Sequence, residues 1–283
     1  MKKRVFLLLF ALCGAFALSA QTIADSLAIV TADWKTRTIQ KEILCREVEI
    51  PSLYGVPQHI TILEITPRRY RLDILIHNPM EKTSESARES GAVAAINGSF
   101  FNMKKGNSVC FLYKDGAVRD TTGNGALGSV CNGAVKIQKG KLSIVPWNKT
   151  DEKGQWGKST LLVSGPLMLL DGKRRDLSAC NKGFVMTKHP RSAVAVTKDG
   201  KLLLITVDGR FKGKAEGINI PELAHLISVL GGEDALNLDG GGSSTLWSSS
   251  APDNGVLNKL CDNNLYDNKG ERKVANSLCV YDK

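Results

Sequence analysis

The sequence lacks most of the patterns that identify common catalytic and binding centres. Its only histidines are His59, His77, His189 and His225; they form no H-x-x-x-H pair, and no two cysteines form a C-x-x-C motif, so a histidine- or cysteine-based zinc centre is not predicted. There is no G-x-S-x-G nucleophile elbow, and the single glycine triplet does not end in the Lys-Ser/Thr of a P-loop. The formal net charge is +10, but lysine and arginine are scattered, so no nucleic-acid-binding surface is predicted.

Long hydrophobic runs are absent after residue 20. Residues 1–20 have a basic start at Lys2, Lys3 and Arg4, an apolar run over Val5–Leu18 and a small-residue cleavage site at Ser19-Ala20, which is typical of a signal peptide. A retained signal anchor is the alternative. We therefore expect an exported protein, periplasmic or extracellular, whose mature part (residues 21–283) forms one domain without stable membrane insertion.

The cysteine count suggests a further expectation. Six cysteines remain outside the signal peptide, and an even number in an exported chain permits disulfides. The sequence therefore predicts at least one disulfide among Cys45, Cys110, Cys131, Cys180, Cys261 and Cys279.

The turn pattern predicts an α+β fold in a single domain dominated by antiparallel strands, with few helices. Asp-Gly or Lys-Gly turns separate apolar or alternating runs at residues 114–116, 139–141, 171–173 and 198–201, as in successive hairpins. Asn219–Leu230 is the strongest helix candidate, with Pro221 near its start and Gly231 after its end. His225 lies away from the apolar face of this helix, and we expect it to be solvated.

The most informative stretch is a short apolar strand, Ala235–Leu238, that runs into Asp239 and three glycines. Three consecutive glycines are costly to order, which suggests that something approaches this backbone closely. Bare amides and neighbouring hydroxyls can form an anion-binding nest, and a carboxylate beside it could transfer protons. A tight irregular turn without a ligand is the alternative. The residues of this candidate nest are Gly240, Gly241, Gly242, Ser243 and Ser244.

Other polar residues also stand at strand ends. Asn97 follows Ala92–Ile96, Asp208 follows Leu202–Val207, and Arg191 precedes a strand starting at Ala193. Strand ends are rigid supports for a site, and the arginine fork matches a phosphate. Two carboxylates, Asp208 and Asp239, are the usual equipment of glycoside hydrolysis. Alternatively, Asn97, Asp208 and Asp239 could share a divalent cation such as calcium or magnesium.

Several segments together resemble the phosphodiester glycosidase family. In order along the chain they are Ala95-Ile-Asn-Gly-Ser-Phe-Phe101, Ser164-Gly-Pro166, His189-Pro-Arg-Ser192, Val207-Asp-Gly-Arg210, Leu236-Asn-Leu-Asp-Gly-Gly-Gly-Ser-Ser-Thr245 and Val274-Ala-Asn276. The triglycine segment is the most specific. Ser99 stands where the family commonly has a second glycine, and Ser192 where it commonly has threonine.

The resemblance implies hydrolysis of a sugar 1-phosphodiester to the free sugar and a phosphomonoester, on a small-molecule or glycan substrate. It implies a cleft that includes Asp239, Asp208 and Arg191, which we expect to be the catalytic residues. Asp208 and Asp239 each end an apolar strand and precede a glycine, and from this shared setting we expect one to act as acid or base and the other as nucleophile or charge stabiliser. Asn97, Asn276 and the segment from Gly240 to Ser244 would bind the substrate. Two alternatives stay open: a non-catalytic glycan- or phosphate-binding protein on the same scaffold, and a metal-dependent phosphodiesterase that cleaves the other ester bond.

Overall fold

The computed structural model describes residues 23–283, so the signal-peptide prediction lies outside the described residues. Its largest sheet has eight strands. In spatial order they are β1 (Lys35–Gln40), β2 (Ile43–Leu53), β3 (Val56–Ile65), β14 (Leu202–Val207), β13 (Arg191–Thr197), β15 (Gly232–Asn237), β11 (Leu167–Leu170) and β12 (Lys173–Arg174).

Two smaller sheets complete the β structure. The four-stranded sheet has the order β16 (Leu246–Ser248), β5 (Ala94–Asn97), β17 (Lys273–Asp282) and β4 (Tyr70–Lys82). The five-stranded sheet has the order β7 (Ala117–Asp120), β6 (Leu112–Lys114), β10 (Thr160–Ser164), β8 (Gly133–Gln138) and β9 (Lys141–Pro146).

Helices are few and short. They are α1 (residues 23–30), α2 (Thr83–Glu89), α3 (Lys182–Met186) and α4 (Ile220–Val229), with 3-10 turns at Pro67–Arg69, Gly128–Val130, Lys149–Lys153 and Gly241–Ser243. None of the helices within residues 23–283 has the length and apolar content needed to span a bilayer. A single α+β domain dominated by antiparallel strands is therefore confirmed, and all four predicted turn segments join paired antiparallel strands.

The centre of the eight-stranded sheet is buried on both faces, which explains why β14 is almost wholly apolar. Leu203 and Ile205 pack with α4 in one hydrophobic cluster, whereas Leu202 and Leu204 pack in another cluster with residues of β4, β5 and β17. Successive side chains of a strand point to opposite faces, so a doubly covered strand needs an uninterrupted apolar run.

Strand direction brings the predicted site residues to one edge of this sheet. In the register of β13 with β14, Arg191 is opposite Val207, and in its register with β15, Ala193 is opposite Asn237. The C-terminal ends of β14 and β15 therefore flank the N-terminal end of β13. Adjacent strands are about 4.8 Å apart, so the residues that follow β14 and β15 lie roughly 10 Å from each other.

Two expectations from the sequence are wrong. All six cysteines in the described residues are free and buried, and no disulfide joins them. Each packs in the protein interior as a small apolar side chain. His225 is buried rather than solvated: the Tyr54 hydroxyl lies 2.7 Å from its Nδ1 and the Ser26 hydroxyl 2.9 Å from its Nε2. The helix prediction itself holds, since Asn219 and Glu222 form a capping box at the start of α4.

Candidate functional site

Asp239 is the carboxylate whose surroundings leave it most available for chemistry. Its backbone N–H donates to the Gly98 carbonyl (2.9 Å), and its own carbonyl accepts from the Asn97 side chain (2.7 Å), so the backbone is held from both sides. The side chain is only partly exposed, and the one hydrogen bond within 3.5 Å that the described residues give its carboxyl comes from the Gly240 N–H (3.0 Å).

The pKa of Asp239 reflects this setting. Burial raises the pKa to about 6, and the Ser243 hydroxyl, Arg272, the Gly240 N–H and Arg191 oppose the rise without cancelling it. The Ser243 hydroxyl acts here by proximity, because its oxygen has no partner at hydrogen-bonding geometry in the described part of the chain. A carboxyl that titrates near neutral pH can both accept and release a proton.

Each of the three glycines after Asp239 has a different close neighbour. A Cβ on Gly240 would lie 2.6 Å from the Pro190 carbonyl oxygen, and one on Gly241 would lie 2.9 Å from Nη2 of Arg210. Gly241 also has a φ of +64°, in the left-handed region. A Cβ on Gly242 would lie 1.9 Å from Oδ1 of Asp262 and 2.3 Å from Nη2 of Arg272.

Arg272 and Asp262 form a bidentate ion pair directly on Gly242, with Nε–Oδ2 and Nη2–Oδ1 distances of 2.7 and 2.9 Å. The close approach that the triglycine implied therefore comes, in part, from the protein itself. The pair and Arg210 place two guanidinium groups against the bare backbone of the triglycine.

Three hydroxyls beside the triglycine are buried and unsatisfied. Among residues 23–283, none of the oxygens Ser243 Oγ, Ser244 Oγ and Thr245 Oγ1 has a hydrogen-bond partner. Buried polar atoms are nearly always paired with protein or ordered water, so three neighbouring orphans indicate a place for a water or a polar ligand.

The environment of Asp208 differs from that of Asp239, because both oxygens of the Asp208 carboxylate accept hydrogen bonds from protein groups. Protonated His59 donates from Nδ1 to Asp208 Oδ2 (2.5 Å) and from Nε2 to Glu47 Oε1 (2.9 Å). His59 and Asp208 are each 1% exposed, whereas the Glu47 side chain is 34% exposed. Burial opposes the charge on His59, but the two carboxylate bonds prevail and raise its pKa to about 9.

Asp208 also fixes the loop that crosses this edge of the sheet. The Lys259 N–H donates to Oδ2 (2.9 Å) and the Asn258 side chain donates to Oδ1 (3.3 Å). Asn258 Nδ2 lies 3.0 Å from the Ser244 carbonyl as well, so Asp208 and the hydroxyl-bearing segment share one amide group. The structure thus brings Asp208 and Asp239 to one site but gives them different surroundings.

The Arg191 guanidinium is 2% exposed and points into the protein. Its Nη2 donates to the Phe184 and Thr187 carbonyls (both 2.9 Å), its Nε donates to the Ile218 carbonyl (3.2 Å), and it lies 4.9 Å from the Phe184 ring. Burial lowers its pKa to about 10, and the charge of Asp239 partly offsets that effect. Direct phosphate binding by both arms of the fork stays a prediction.

Asn97 and Asn276 hold the backbone around Asp239. The Asn97 side-chain oxygen accepts from the Ser192 hydroxyl (2.7 Å) and the Thr245 N–H (3.1 Å), which ties β5 to β13 and to the hydroxyl-bearing segment. Asn276 Oδ1 accepts from the Ser99 N–H (2.7 Å) and would be 1.9 Å from a Cβ on Gly98. Their predicted contacts with substrate stay predictions.

Sequence reasoning missed several charged residues at this edge. Arg210 follows the Asp208-Gly209 pair directly, and its left-handed φ of +69° is a feature that no residue pattern reveals. Arg272, Asp262 and the neutral Asn258 stand in irregular segments, and Glu47 lies within β2, which pairs with both β1 and β3; none of them has a distinguishing motif. His189 is half-buried, and burial together with Arg191 and Arg210 lowers its pKa, so its imidazole is neutral at neutral pH.

The predicted divalent-cation donors do not fit a metal ion as they stand. The Asn97 oxygen and both Asp208 oxygens are already bonded to protein donors. Within the described range, no group of three or more His, Cys, Asp or Glu side chains is placed to hold a metal.

The fold matches a solved catalytic domain. The zebrafish N-acetylglucosamine-1-phosphodiester alpha-N-acetylglucosaminidase catalytic domain, auto-inhibited by its pro-peptide, aligns with a TM-score of 0.67 at 20% identity and covers 89% of both chains. In sequence, the bovine N-acetylglucosamine-1-phosphodiester alpha-N-acetylglucosaminidase is 27% identical over 211 residues, 70% of this chain but 38% of the bovine protein. A SPbeta prophage-derived uncharacterized protein of Bacillus subtilis is 27% identical over 203 residues, 71% of this chain and 29% of the relative.

The phosphodiester glycosidase family model matches residues 90–281, which include Asn97, Arg191, Asp208, Asp239 and Asn276. The chain belongs to the phosphodiester glycosidase family, a family of hydrolases. It spans well under half the length of the curated relatives that it matches.

The Glu47–His59–Asp208 network predicts a pH-dependent stability. Protonated His59 stabilises the folded state fully below its usual pKa of 6.5, and this contribution is lost as the pH rises through about 9. Over that interval we expect the free energy of unfolding to fall by up to about 3 kcal/mol. In Glu47→Gln the fall should be smaller and complete at lower pH, because His59 has lost one charged partner.

Urea unfolding at a series of pH values between 6 and 10 measures this effect. Glu49→Gln is the matched control, since Glu49 is exposed on the same strand and does not bond to His59. The same pH dependence in wild type, Glu47→Gln and Glu49→Gln would contradict a charged role for His59.

Proposed function

We propose that this protein hydrolyses a sugar 1-phosphodiester and releases the free sugar and a phosphomonoester. The observation that carries the proposal is Asp239: a carboxyl whose pKa is raised to about 6, beside a triglycine backbone flanked by Arg210 and Arg272. The orphaned Ser243, Ser244 and Thr245 hydroxyls add unsatisfied polar groups at the same place. The named relatives act on an N-acetylglucosamine 1-phosphodiester, which fits this combination.

In the proposed reaction, water adds to the anomeric carbon and the bond between that carbon and the phosphate oxygen breaks. The bonding electrons leave with the phosphate, and the proton lost by the attacking water passes to Asp239. A phosphomonoester has its second pKa near 6, so it departs at neutral pH with little need for protonation. A base is therefore more useful here than an acid, and at neutral pH Asp239 is mostly ionised.

The charged groups around Asp239 have separate tasks in this proposal. Arg210, which is exposed and next to Gly241, contacts the phosphate, together with Arg272 and the Gly242 N–H. The N–H groups of Gly240 and Gly241 are already bonded to the Asp239 carboxyl and the Pro190 carbonyl. Arg191 contributes positive potential from the interior, where its bonds also fix the start of β13. Asp208 acts as a positioning residue, because both of its oxygens are engaged and it orients Asn258 and Ser244.

Hydrolysis in water labelled with heavy oxygen tests the bond that is cleaved. We expect the purified protein to release free N-acetylglucosamine from its methyl 1-phosphodiester, with the label on the sugar. Label on the phosphate, together with sugar 1-phosphate as the product, would instead indicate a phosphodiesterase. Binding of the diester without turnover would indicate a non-catalytic binding protein.

The same assay after dialysis against a chelator tests the divalent cation. Since the proposed donors are engaged by protein groups, we expect the rate to change less than twofold. Loss of turnover that magnesium or calcium restores would show that an ion is required, at a site formed by other residues.

Asp239→Asn tests the proposed base. The substitution keeps the size of the side chain and removes its charge, so kcat should fall by at least about a hundredfold while KM changes much less. The wild-type rate should rise with pH through an apparent pKa near 6, and this limb should be absent from the residual activity of the variant.

Asp234→Asn is the matched control on β15, the strand that leads to Asp239; its side-chain oxygen accepts from the Asp171 N–H, an interaction that asparagine can keep. Urea unfolding shows whether each variant is folded. Near-full turnover by a folded Asp239→Asn protein would refute the role of Asp239 as base.

We also propose that the protein is exported and acts on periplasmic or extracellular glycans that carry a sugar phosphate. The support is the charge and hydropathy pattern of residues 1–20. A mature N-terminus at Gln21 in the exported fraction is the expected observation, and an unprocessed chain confined to the cytoplasm would contradict it.

A further inference from the structure

A cavity of about 590 Å³ lies at the same end of the eight-stranded sheet as the candidate site. Its walls come from the β2–β3 hairpin, from the loop that follows Asp208 and from Tyr266, and the lining includes Glu49, Pro51, Pro57, Gln58, Lys214 and Tyr266. This volume is within the range of small-molecule binding sites, roughly 300–1,000 Å³.

The cavity and the candidate site have one loop in common, and the Tyr266 ring that lines the cavity contacts His59. Residues 209–217 carry Arg210, which lies against Gly241, and also Lys214, which lines the cavity. The Tyr266 ring meets Phe211 and His59 edge-on, with centroid distances of 5.1 and 6.2 Å. His59 in turn bonds to Asp208, so the cavity and the reaction centre lie on either side of one charged network.

The order of the strands in the sheet gives the distance between Asp239 and the cavity. From β15, which Asp239 follows, to β3, which carries Gln58, there are three strand spacings, roughly 14 Å. A single sugar phosphate does not cover that distance, whereas a sugar phosphate joined to further sugar units does.

The lining is suited to an uncharged, hydroxyl-rich ligand. Tyr266 and the two prolines offer apolar surfaces that match the C–H faces of pyranose rings. Gln58 is 1% exposed and its Nε2 donates to the Gly217 carbonyl (2.7 Å), so it forms a fixed part of the cavity wall. One carboxylate, Glu49, and one ammonium, Lys214, balance each other in charge and supply an acceptor and a donor.

Lys214 is also available to a ligand. Its Nζ lies 5.4 Å from the Tyr266 ring centre, and within residues 23–283 it makes no salt bridge. Because its side chain is exposed, it can move from the ring to a ligand hydroxyl without a loss of packing in the core.

We propose that this cavity is a glycan subsite that binds the part of the substrate on the far side of the phosphate. The inference rests on the proposed function: the reaction releases one free sugar, so any greater length of the substrate must belong to the group that keeps the phosphate. The ligand class is a neutral oligosaccharide whose sugar rings pack on Tyr266 and whose hydroxyls bond to Glu49 and Lys214.

Two substrates that share the same reacting part test the subsite. One is N-acetylglucosamine 1-phosphate esterified to methanol, and the other is the same phosphate esterified to the primary hydroxyl of cellobiose. Wild type should have a lower KM for the cellobiose diester. Tyr266→Ala should raise that KM about tenfold, the loss expected for one aromatic stacking contact, and leave the KM for the methyl diester within about twofold.

Tyr113→Ala is the matched control, because Tyr113 is a partly exposed tyrosine on β6 and does not line the cavity. Lys214→Ser, at an exposed position, gives a second variant in case Tyr266→Ala is poorly folded, and it should raise the KM for the cellobiose diester alone. An equal effect of Tyr266→Ala and Lys214→Ser on both substrates, or no effect on either, would overturn the proposal.

The glycan subsite can also be tested if the proposed hydrolysis does not occur. If neither diester is hydrolysed, binding of cellobiose 6-phosphate to the intact protein, measured by calorimetry, tests the subsite alone. Binding to wild type that Tyr266→Ala weakens about tenfold or more supports the subsite, whereas equal binding to both proteins, or none to wild type, refutes it.

Discussion

The arrangement of the site depends on the buried carboxylate of Asp208. Three separate parts of the chain meet at this group: β3 through His59, the end of β14 through its own backbone, and the loop 249–272 through Asn258 and Lys259. A buried charge is tolerated only when it is paired and hydrogen-bonded, and this carboxylate accepts three hydrogen bonds within 3.5 Å, from His59, Asn258 and Lys259. Removing one partner would leave the other charge buried, so these segments are held as a unit.

The sequence predicted that the backbone of the triglycine is crowded, but it did not predict which groups crowd it. The run of glycines does indicate crowding of the backbone, but the crowding groups are Pro190, Arg210 and the Arg272–Asp262 pair. All of these residues lie at least 20 positions from the motif along the chain, and no local pattern connects them with it. The sequence does show a stretch of backbone without side chains. The structure places guanidinium groups next to it, and such a place attracts an anion.

Local sequence patterns predicted the strands and turns of the fold well, but they did not predict contacts between residues that are distant in the sequence. Turn residues located the hairpins, and an apolar run followed by a polar residue located Asn97, Asp208 and Asp239 at strand ends. His59 could not be found in this way, because its partners Glu47 and Asp208 come from a neighbouring strand and from a position 149 residues later. The errors have the same origin: the burial of His225 and of the free cysteines depends on which elements pack over them, and their own neighbours in sequence do not specify that.

The two carboxylates at this edge have the opposed environments that acid–base chemistry requires. Asp208 is held by His59 and by amide groups, so its role is fixed by its bonds. Asp239 accepts a hydrogen bond only from the neighbouring Gly240 N–H among the described residues, and burial keeps its pKa near neutral pH. Its neighbours Ser243, Ser244 and Thr245 are also unsatisfied, so three of the ten buried side-chain atoms without a partner in residues 23–283 lie in the segment beside this carboxyl. Unsatisfied buried groups destabilise a folded protein, so these three consecutive hydroxyls mark a place where a buried water or a ligand group can complete their hydrogen bonds.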